Sequence, residues 1–344
     1  MQRQRVLITG GAGFIGINLA DRLLRDGHEV VLFDNLSRTG CRLNLQWLGE
    51  GHGTNAARLI SADVTDAAAL RRAAEGVGRI YHLAGQVAVT ASIRDPRRDF
   101  EDNAVGTFNA LEAARCAGAD PIFLYASTNK VYGQMDDLAV VEEGTRYRYA
   151  DLPFGVPETR PVDFHSPYGC SKGAGDLYVR DYARIFGVRS IVIRQSCVYG
   201  PRQFGAEGQG WLAWLVQAAL EESPITIFGD GKQVRDILFI DDLLDLYEAA
   251  VTNIETTAGR IYNIGGGPEN TVSVWNEFGT ILEELGGRTI QVSYGPWRPG
   301  EQRVYISDIR KATTQLGWRP RIFAREGIGR LVEWIRANRH LARD

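Results

Sequence analysis

Cysteine is scarce in this chain of 344 residues: Cys41, Cys116, Cys170 and Cys197 stand far apart, with no CxxC pair. That spacing argues against a disulfide framework and against a zinc site, and leaves four free thiols in a reducing compartment. No metal is expected. Long apolar runs are missing too; none approaches the roughly 20 residues that cross a bilayer. The polar start Met1-Gln2-Arg3-Gln4 passes straight into a strand pattern, leaving no room for a signal peptide. A soluble, cytoplasmic protein without a membrane segment is the expectation. Neither sign of charge dominates, since 39 basic and 42 acidic side chains give a formal net charge of −3. Such a balance offers no broad field for nucleic acid or an anionic membrane. Repeats, low-complexity tracts and charge blocks are absent, and a hydrophobic content of 44% excludes a disordered chain. The surplus is in glycine, 39 residues scattered without period, which points to many tight turns rather than collagen.

Against that background runs a regular rhythm. Residues 5–9 (RVLIT) are apolar and β-branched, a glycine-rich turn follows, and 14–26 carry helical spacing through Phe14, Ile15, Leu19, Leu23 and Leu24. A second apolar run fills 29–33. Strand, helix and strand within about 30 residues make one parallel crossover unit. Further strands are expected at 58–61, 79–83, 121–126 and 189–194, and helices near 66–75, 97–117 and 168–186. Apolar strands alternating with helices predict an α/β fold, a Rossmann-type doubly wound parallel sheet covered on both faces. After residue 195 the rhythm loosens, with helices near 210–222, 271–286 and 325–338, which predicts a smaller, mostly C-terminal α/β substrate lobe. Segment 236–264 regains strand–helix–strand spacing and is expected back in the main sheet. The predicted division is 1–194 plus 236–264 for nucleotide binding, and 195–235 plus 265–344 for the lobe.

The turn Thr9-Gly10-Gly11-Ala12-Gly13-Phe14-Ile15-Gly16 lies between the first strand and the first helix. Gly10 suits the tight turn, Gly13 lets backbone approach a pyrophosphate, and Gly16 lets helix pack on strand. The helix then offers its unpaired N–H groups and positive dipole end to the phosphates. Asp34 closes the second strand. A carboxylate there accepts bonds from ribose hydroxyls and repels a 2′-phosphate, which favours NAD over NADP, although Arg38 nearby keeps NADP open.

Tyr168-Gly169-Cys170-Ser171-Lys172 opens a helical stretch, and positions i and i+4 share a helix face. A free tyrosine titrates near 10 and is a poor base at neutral pH. A neighbouring ammonium and an oxidised nicotinamide both favour the phenolate, so Lys172 and the cofactor together are expected to lower Tyr168 and fit it to take a proton from a sugar hydroxyl. Ser127-Thr128 lies at the C-terminal edge of the strand at 121–126, where open α/β sheets bind ligands. Thr128 can bond the reacting hydroxyl and relay its proton to Tyr168.

Taken together, TGGAGFIG, Asp34-Asn35, His82-Leu83-Ala84-Gly85, STNKVYG and YGCSK resemble the extended short-chain dehydrogenase/reductases, in their nucleotide-sugar epimerase and dehydratase branch, over essentially the whole chain. The resemblance implies Thr128, Tyr168 and Lys172 as the catalytic set. It implies NAD held by Gly10, Gly13, Phe14 and Ile15 at the turn, and by Asp34, Asn35, Ser37 and Arg38 at the ribose. Asp63 and Val64 would flank the adenine and Leu83, Ala84 and Gly85 would line the cofactor. Asn103 would support the catalytic residues, with Tyr168 and Lys172 also touching the cofactor. It further implies a homodimer built on segments 97–117 and 168–186, with Phe108 and Leu111 serving either that interface or the sheet.

Within that branch, the 4,6-dehydratases carry an Asp-Glu pair after the threonine. Here the positions hold Asn129 and Lys130, so dehydration is disfavoured and epimerisation preferred. The strings DNLSRTG, HLAGQVAVTASI, DFHSPYGCSKGA, YGPRQFGAEGQGW and GDGKQVRDIL resemble the group of CDP-tyvelose (CDP-paratose) 2-epimerases, implying redox at C2 of a CDP-3,6-dideoxyhexose. A UDP- or CDP-hexose 4-epimerase is the alternative, and a non-catalytic NAD-binding regulator the more distant one. For the substrate, Gln86, Thr90 and Ser92 follow the cofactor strand, while Asn129 adjoins Thr128. Gln195, Arg202, Gln203 and Gln209 occupy a glycine-rich stretch where amides can read hydroxyls or the base. Arg235 and Arg298 resemble the family's diphosphate-clamping arginines, a role suited to the guanidinium fork. His165 is expected to shape the turn before Tyr168, and Trp211 and Trp214 to be core.

Overall fold

The run Arg5–Thr9 forms strand β1, buried from Val6 onward, in a computed structural model that describes residues 3–206, 208–298 and 301–343. Strand β1 pairs in parallel with β2 (Glu29–Asp34) on one side and β4 (Arg79–His82) on the other. Strand β3 (Ala57–Ser61) adds beyond β2, and β5 (Ile122–Thr128) beyond β4, again in parallel. With β6 (Ser190–Gln195) and β7 (Arg260–Ile264) the sheet has seven strands in the order β7-β6-β5-β4-β1-β2-β3. This is the Rossmann-type parallel sheet that the apolar rhythm predicts. Strand order reverses between β1 and β4, and such a switch point opens a crevice at the C-terminal strand ends.

The crossovers are α1 (Phe14–Arg25), α2 (Cys41–His52) and α3 (Ala67–Ala74). Next come α4 (Val89–Arg94), α5 (Pro96–Phe100), α6 (Gly106–Arg115) and the long α7 (Ser166–Phe186). One face of the sheet is sealed by Leu70 and Ala73 of α3, Leu111 of α6 and Val179 of α7 against Val31, Phe33, Phe123 and Tyr125. Leu111 is therefore core, and of the two apolar residues expected at an interface only Phe108 is exposed. The helix expected over 97–117 is interrupted: a π-helical turn at Glu101–Val105 joins α5 to α6. Such turns insert a residue into the ladder and cluster at functional sites, and a 3.6-residue apolar period does not reveal them.

The chain divides into two compact units, residues 1–128, 166–194 and 247–261 in the first and 129–165, 195–246 and 262–344 in the second. The boundaries differ from the predicted ones. Segment 129–165 falls in the second unit because its hairpin, Val140–Glu143 with Arg146–Tyr149, places Tyr147 and Tyr149 in a core with Val131, Tyr132, Val156, Val234 and Tyr305. Only β7 of segment 236–264 joins the main sheet. The strand Val234–Phe239 pairs instead with Cys197–Tyr199, Thr271–Ser273 and Val304–Tyr305. A fully buried strand reads the same in sequence whichever sheet receives it. Thr271–Ser273 is strand where helix was expected, since a run this short carries no period that separates the two, and the helix there starts at Phe278.

Candidate active site

The glycine turn follows β1. Gly10 has φ +67°, and its N–H donates to the Phe33 carbonyl at 2.8 Å. A Cβ on Gly10 would lie 2.8 Å from the Ala84 backbone nitrogen, and one on Gly13 would lie 3.3 Å from the Gly10 carbonyl oxygen. Side chains would fill this cradle. Gly13 caps α1 and, being glycine, brings no side-chain hydrogen bond to its first N–H groups. Phe14 and Ile15, half-buried, begin that helix. Buried Asp34 accepts from the Ala12 N–H at 3.0 Å and the Leu36 N–H at 2.8 Å, which fastens the carboxylate beside the turn. Asn35 turns to Asp63, donating at 2.8 Å, and its own oxygen takes the Ser37 N–H. Burial would raise Asp63, but bonds from Thr65, Asn35 and Arg98 prevail and hold it well below the usual carboxylate range. Arg38 is exposed and Val64 buried. An open glycine cradle beside an anchored carboxylate fits a dinucleotide.

From the end of β4, His82 bonds Thr9 Oγ1 at 2.7 Å and Thr107 Oγ1 at 3.0 Å, and burial, with help from the Lys172 charge, pushes it down to about 3. The imidazole is a neutral strut that fixes where Leu83, Ala84 and Gly85 leave the strand. Asn103 lies within the π turn, fully buried, its Oδ1 against Gly85. From β5 come Ser127 and Thr128. From α7 come Tyr168, Ser171, Lys172 and Asp176, all buried. Ser166 starts that helix in a left-handed conformation, its hydroxyl accepting the Gly169 N–H at 3.2 Å, and exposed His165 leads into it.

A side-chain hydrogen bond links Tyr168 to Thr128. Burial pushes the phenol up to about 12, opposed by the Thr128 bond and the Arg38 charge. Lys172 Nζ donates to the Ala126 carbonyl at 2.6 Å and lies 4.3 Å from the centre of the Tyr125 ring. Burial lowers it to about 7, against the pull of Asp176 and Asp99. The expected depression of Tyr168 by Lys172 is therefore not seen in this structure: the ammonium is turned to β5. Asp176 accepts from Ser127 Oγ at 2.6 Å and from Arg194 through contacts of 2.9 and 2.8 Å. Asp99, Asp176 and Arg194 went unnoticed in the sequence, where nothing but their distance from one another would be visible.

The substrate candidates divide. Gln86 is folded onto its own loop, donating to the Ala88 carbonyl at 2.7 Å and accepting the Ala88 N–H. Ser92 Oγ donates to the Val89 carbonyl at 2.7 Å and braces α4, on which Thr90 is exposed. In the second unit, Asn129 and Lys130 continue from β5 as a short 3-10 turn, and Asn129 is buried. Lys130 Nζ donates to Gln302 Oε1 at 3.0 Å; burial and the Arg235 charge lower it to about 8, while Glu301 opposes. Arg235 Nη2 meets Glu301 Oε1 at 2.6 Å. Lys130 and Glu301 are thus companions of Arg235 that the spacing did not reveal. Arg298 lies over the Phe228 ring at 4.0 Å, and Arg202 faces the Trp334 ring at 5.5 Å. Gln203 Nε2 donates to the Val198 carbonyl at 3.2 Å, and its buried Oε1 has no hydrogen-bond partner among the described residues. Gln209 exchanges backbone bonds with Ala206, and Gln195, half-buried, ends β6. Trp211 packs edge-on against Phe278 at 5.2 Å.

The model of the NAD dependent epimerase/dehydratase family matches residues 6–265. The chain is similar to the CDP-paratose 2-epimerase of Salmonella typhi, 42% identical over 346 aligned residues that cover 96% of this chain and 98% of that one. Among solved structures it is similar to UDP-glucose 4-epimerase with UDP-glucose from Thermotoga maritima, with a TM-score of 0.82, 31% identity, and coverage of 97% and 99%. It is also similar to DesIV, a dTDP-glucose 4,6-dehydratase from Streptomyces venezuelae with NAD and TYD bound, with a TM-score of 0.84, 30% identity and 98% of each chain covered.

Proposed function

This chain belongs to the NAD-dependent epimerase/dehydratase family, and from that membership we propose that it inverts C2 of a CDP-3,6-dideoxyhexose, in the manner of CDP-paratose to CDP-tyvelose. It is a nucleotide-sugar epimerase, an isomerase, and its cofactor is NAD. The observation that carries the C2 reading is the 42% identity, end to end, with a CDP-paratose 2-epimerase. Asn129 and Lys130 stand where a dehydratase carries its Asp-Glu pair, and neither is a carboxylic acid, which supports epimerisation over dehydration.

Bound NAD would supply the acceptor and then the donor of the hydride exchanged with the sugar carbon. The residues of the first unit do the rest. The uncapped start of α1 receives the pyrophosphate and Asp34 the ribose hydroxyls. Tyr168 removes the hydroxyl proton as the carbon is oxidised and gives it back on reduction, with Thr128 as relay. We assign Lys172 the support of the phenolate, for which its ammonium must leave the Ala126 carbonyl that holds it in this structure. In the second unit we assign Arg235 and Arg298 to the diphosphate; Glu301 holds Arg235 in the meantime. A 4-epimerase of a UDP- or CDP-hexose is the second reading, favoured by the likeness to the Thermotoga enzyme. No helix among the described residues is long and apolar enough to cross a membrane, and we place the enzyme in the cytoplasm as a homodimer.

The test is NMR of purified enzyme with CDP-paratose, and separately with UDP-glucose, in deuterated water. Inversion at C2 of CDP-paratose without deuterium at that carbon is expected, because the hydride returns. Inversion at C4 of the UDP-sugar, with CDP-paratose untouched, would replace the proposal by the second reading.

A further inference from the structure

Two carboxylates act on the Lys172 ammonium. Asp176 is neutralised by the bidentate Arg194. Asp99 is not: it is 1% exposed, and no ion pair to it exists among the described residues. Its oxygens take only neutral donors, Ser171 Oγ at 2.6 Å and Asn103 Nδ2 at 3.1 Å. A buried carboxylate without an ion pair is expensive to keep. The Asn103 Nδ2 group also donates to Ser171 Oγ at 3.1 Å, which closes a ring of three side chains. Because a carboxylate only accepts, Asp99 dictates the orientation of the Asn103 amide. Nδ2 faces Asp99 and Ser171, and Oδ1 is left facing Gly85, buried and without a hydrogen-bond partner among the described residues. The π turn is part of this device, since Asn103 is its middle residue and Asp99 precedes it on α5.

We propose that Asp99 is a positioning residue: through Ser171 it locks the Asn103 amide with Oδ1 free for a donor group of the bound dinucleotide, and it keeps a negative charge beside the Tyr168–Lys172 pair. The second half rests on the roles given to Tyr168 and Lys172 above. The charge works on both partners in one direction, favouring the Lys172 ammonium and opposing the Tyr168 phenolate. Facing Asp99 are Tyr168, Ser171 and Lys172 of α7, Asp102 and Asn103 of the π turn, and Tyr125 of β5. Facing Lys172 are Asp176 of its own helix and His82 of β4, and facing Tyr168 are Thr128 and Arg38.

Asp99→Asn removes the charge at nearly constant shape and sets an amide donor against Asn103. Both limbs of the kcat–pH profile should slide to lower pH, by about half a unit or more. Retention of NAD through gel filtration should fall about threefold or more. Ser171→Ala keeps the charge and opens the ring, so retention should fall while the limbs stay in place. A merely structural Asp99 would depress activity at every pH with the limbs unmoved. That result, or unchanged NAD retention in both variants, overturns the proposal. If the wild-type enzyme turns over no nucleotide sugar, the reaction reading fails instead, and NAD retention still decides the role of Asp99 toward Asn103. If Asp99→Asn proves insoluble, Ser171→Ala decides it by the same measurement.

Discussion

Lys172 gives its ammonium hydrogen to the Ala126 carbonyl at 2.6 Å, while Tyr168, one turn earlier on the same helix, bonds to Thr128. Both side chains are thus docked on the end of β5, two residues apart. The i,i+4 spacing of the helix brings them to one face, and the strand end then decides where each polar tip goes.

Tyr168→Phe removes the group assigned to take the hydroxyl proton and return it. Turnover should fall about 10²- to 10⁴-fold, the usual contribution of a positioned acid–base group. NAD should stay bound, because the cradle of Gly10, Gly13 and Asp34 is untouched. Rate and bound NAD per chain are the two readouts, and near-normal turnover would remove Tyr168 from the mechanism.

Asp34 provides a second test. Its carboxylate already accepts two backbone N–H groups at 3.0 and 2.8 Å, so Asp34→Asn must set an amide N–H against one of them or give up the ribose. Hydrogen bonds to a charged group are worth about 1.5–3 kcal/mol, which predicts NAD binding about 10- to 100-fold weaker by titration. NADP should lose less, since the repelling charge has gone. An equal loss for both dinucleotides would mean that Asp34 braces the turn without reading the ribose.

Much of this was legible in the sequence because it is local. The glycine turn, Asp34 at a strand end, and Tyr168 with Lys172 on one helix face need only spacing and period. What was not legible depends on partners far along the chain. Gln86 looked free to meet a sugar until its amide was seen folded onto Ala88. Nothing in Asp99 forecasts Ser171, 72 positions away. Segment 236–264 has strand–helix–strand spacing and is expected in the main sheet, yet its first strand, Val234–Phe239, pairs elsewhere, since spacing does not name the neighbour.

Stability should depend on pH through the buried lysines. Lys172 is lowered to about 7 and Lys130 to about 8 by burial, against about 10.4 in the unfolded chain. Between those values the unfolded state binds more protons than the folded one, so stability of the NAD-free protein rises with pH. The gain begins near pH 7 and is absent below it. Each lysine adds at most about 1.4 kcal/mol per pH unit. Urea unfolding at pH 6.5, 7.5 and 8.5 should show the rise, and Lys172→Met should lessen it. A flat wild-type profile, or an unchanged slope in the variant, would contradict the burial of a charged lysine.

The outer faces of α6 and α7 carry the last expectation. Phe108, Leu177, Tyr178, Ile185 and Phe186 are 43%, 46%, 52%, 67% and 52% exposed, and Phe108 meets the Tyr178 ring edge-on at 6.1 Å. Large apolar side chains gathered on two helices mark an interface more than a solvated surface. A second copy related by a two-fold axis covers such a patch with itself. Sedimentation of the wild type should therefore give twice the chain mass. Ile185→Asp with Leu177→Asp places two charges in the patch and leaves the sheet-facing Leu111 and Val179 alone. The double variant should sediment as one chain with its NAD still bound, because the cradle lies at the strand ends and not on these helix faces. A wild-type mass of one chain, or a double variant that stays paired, would assign the patch to something other than self-association.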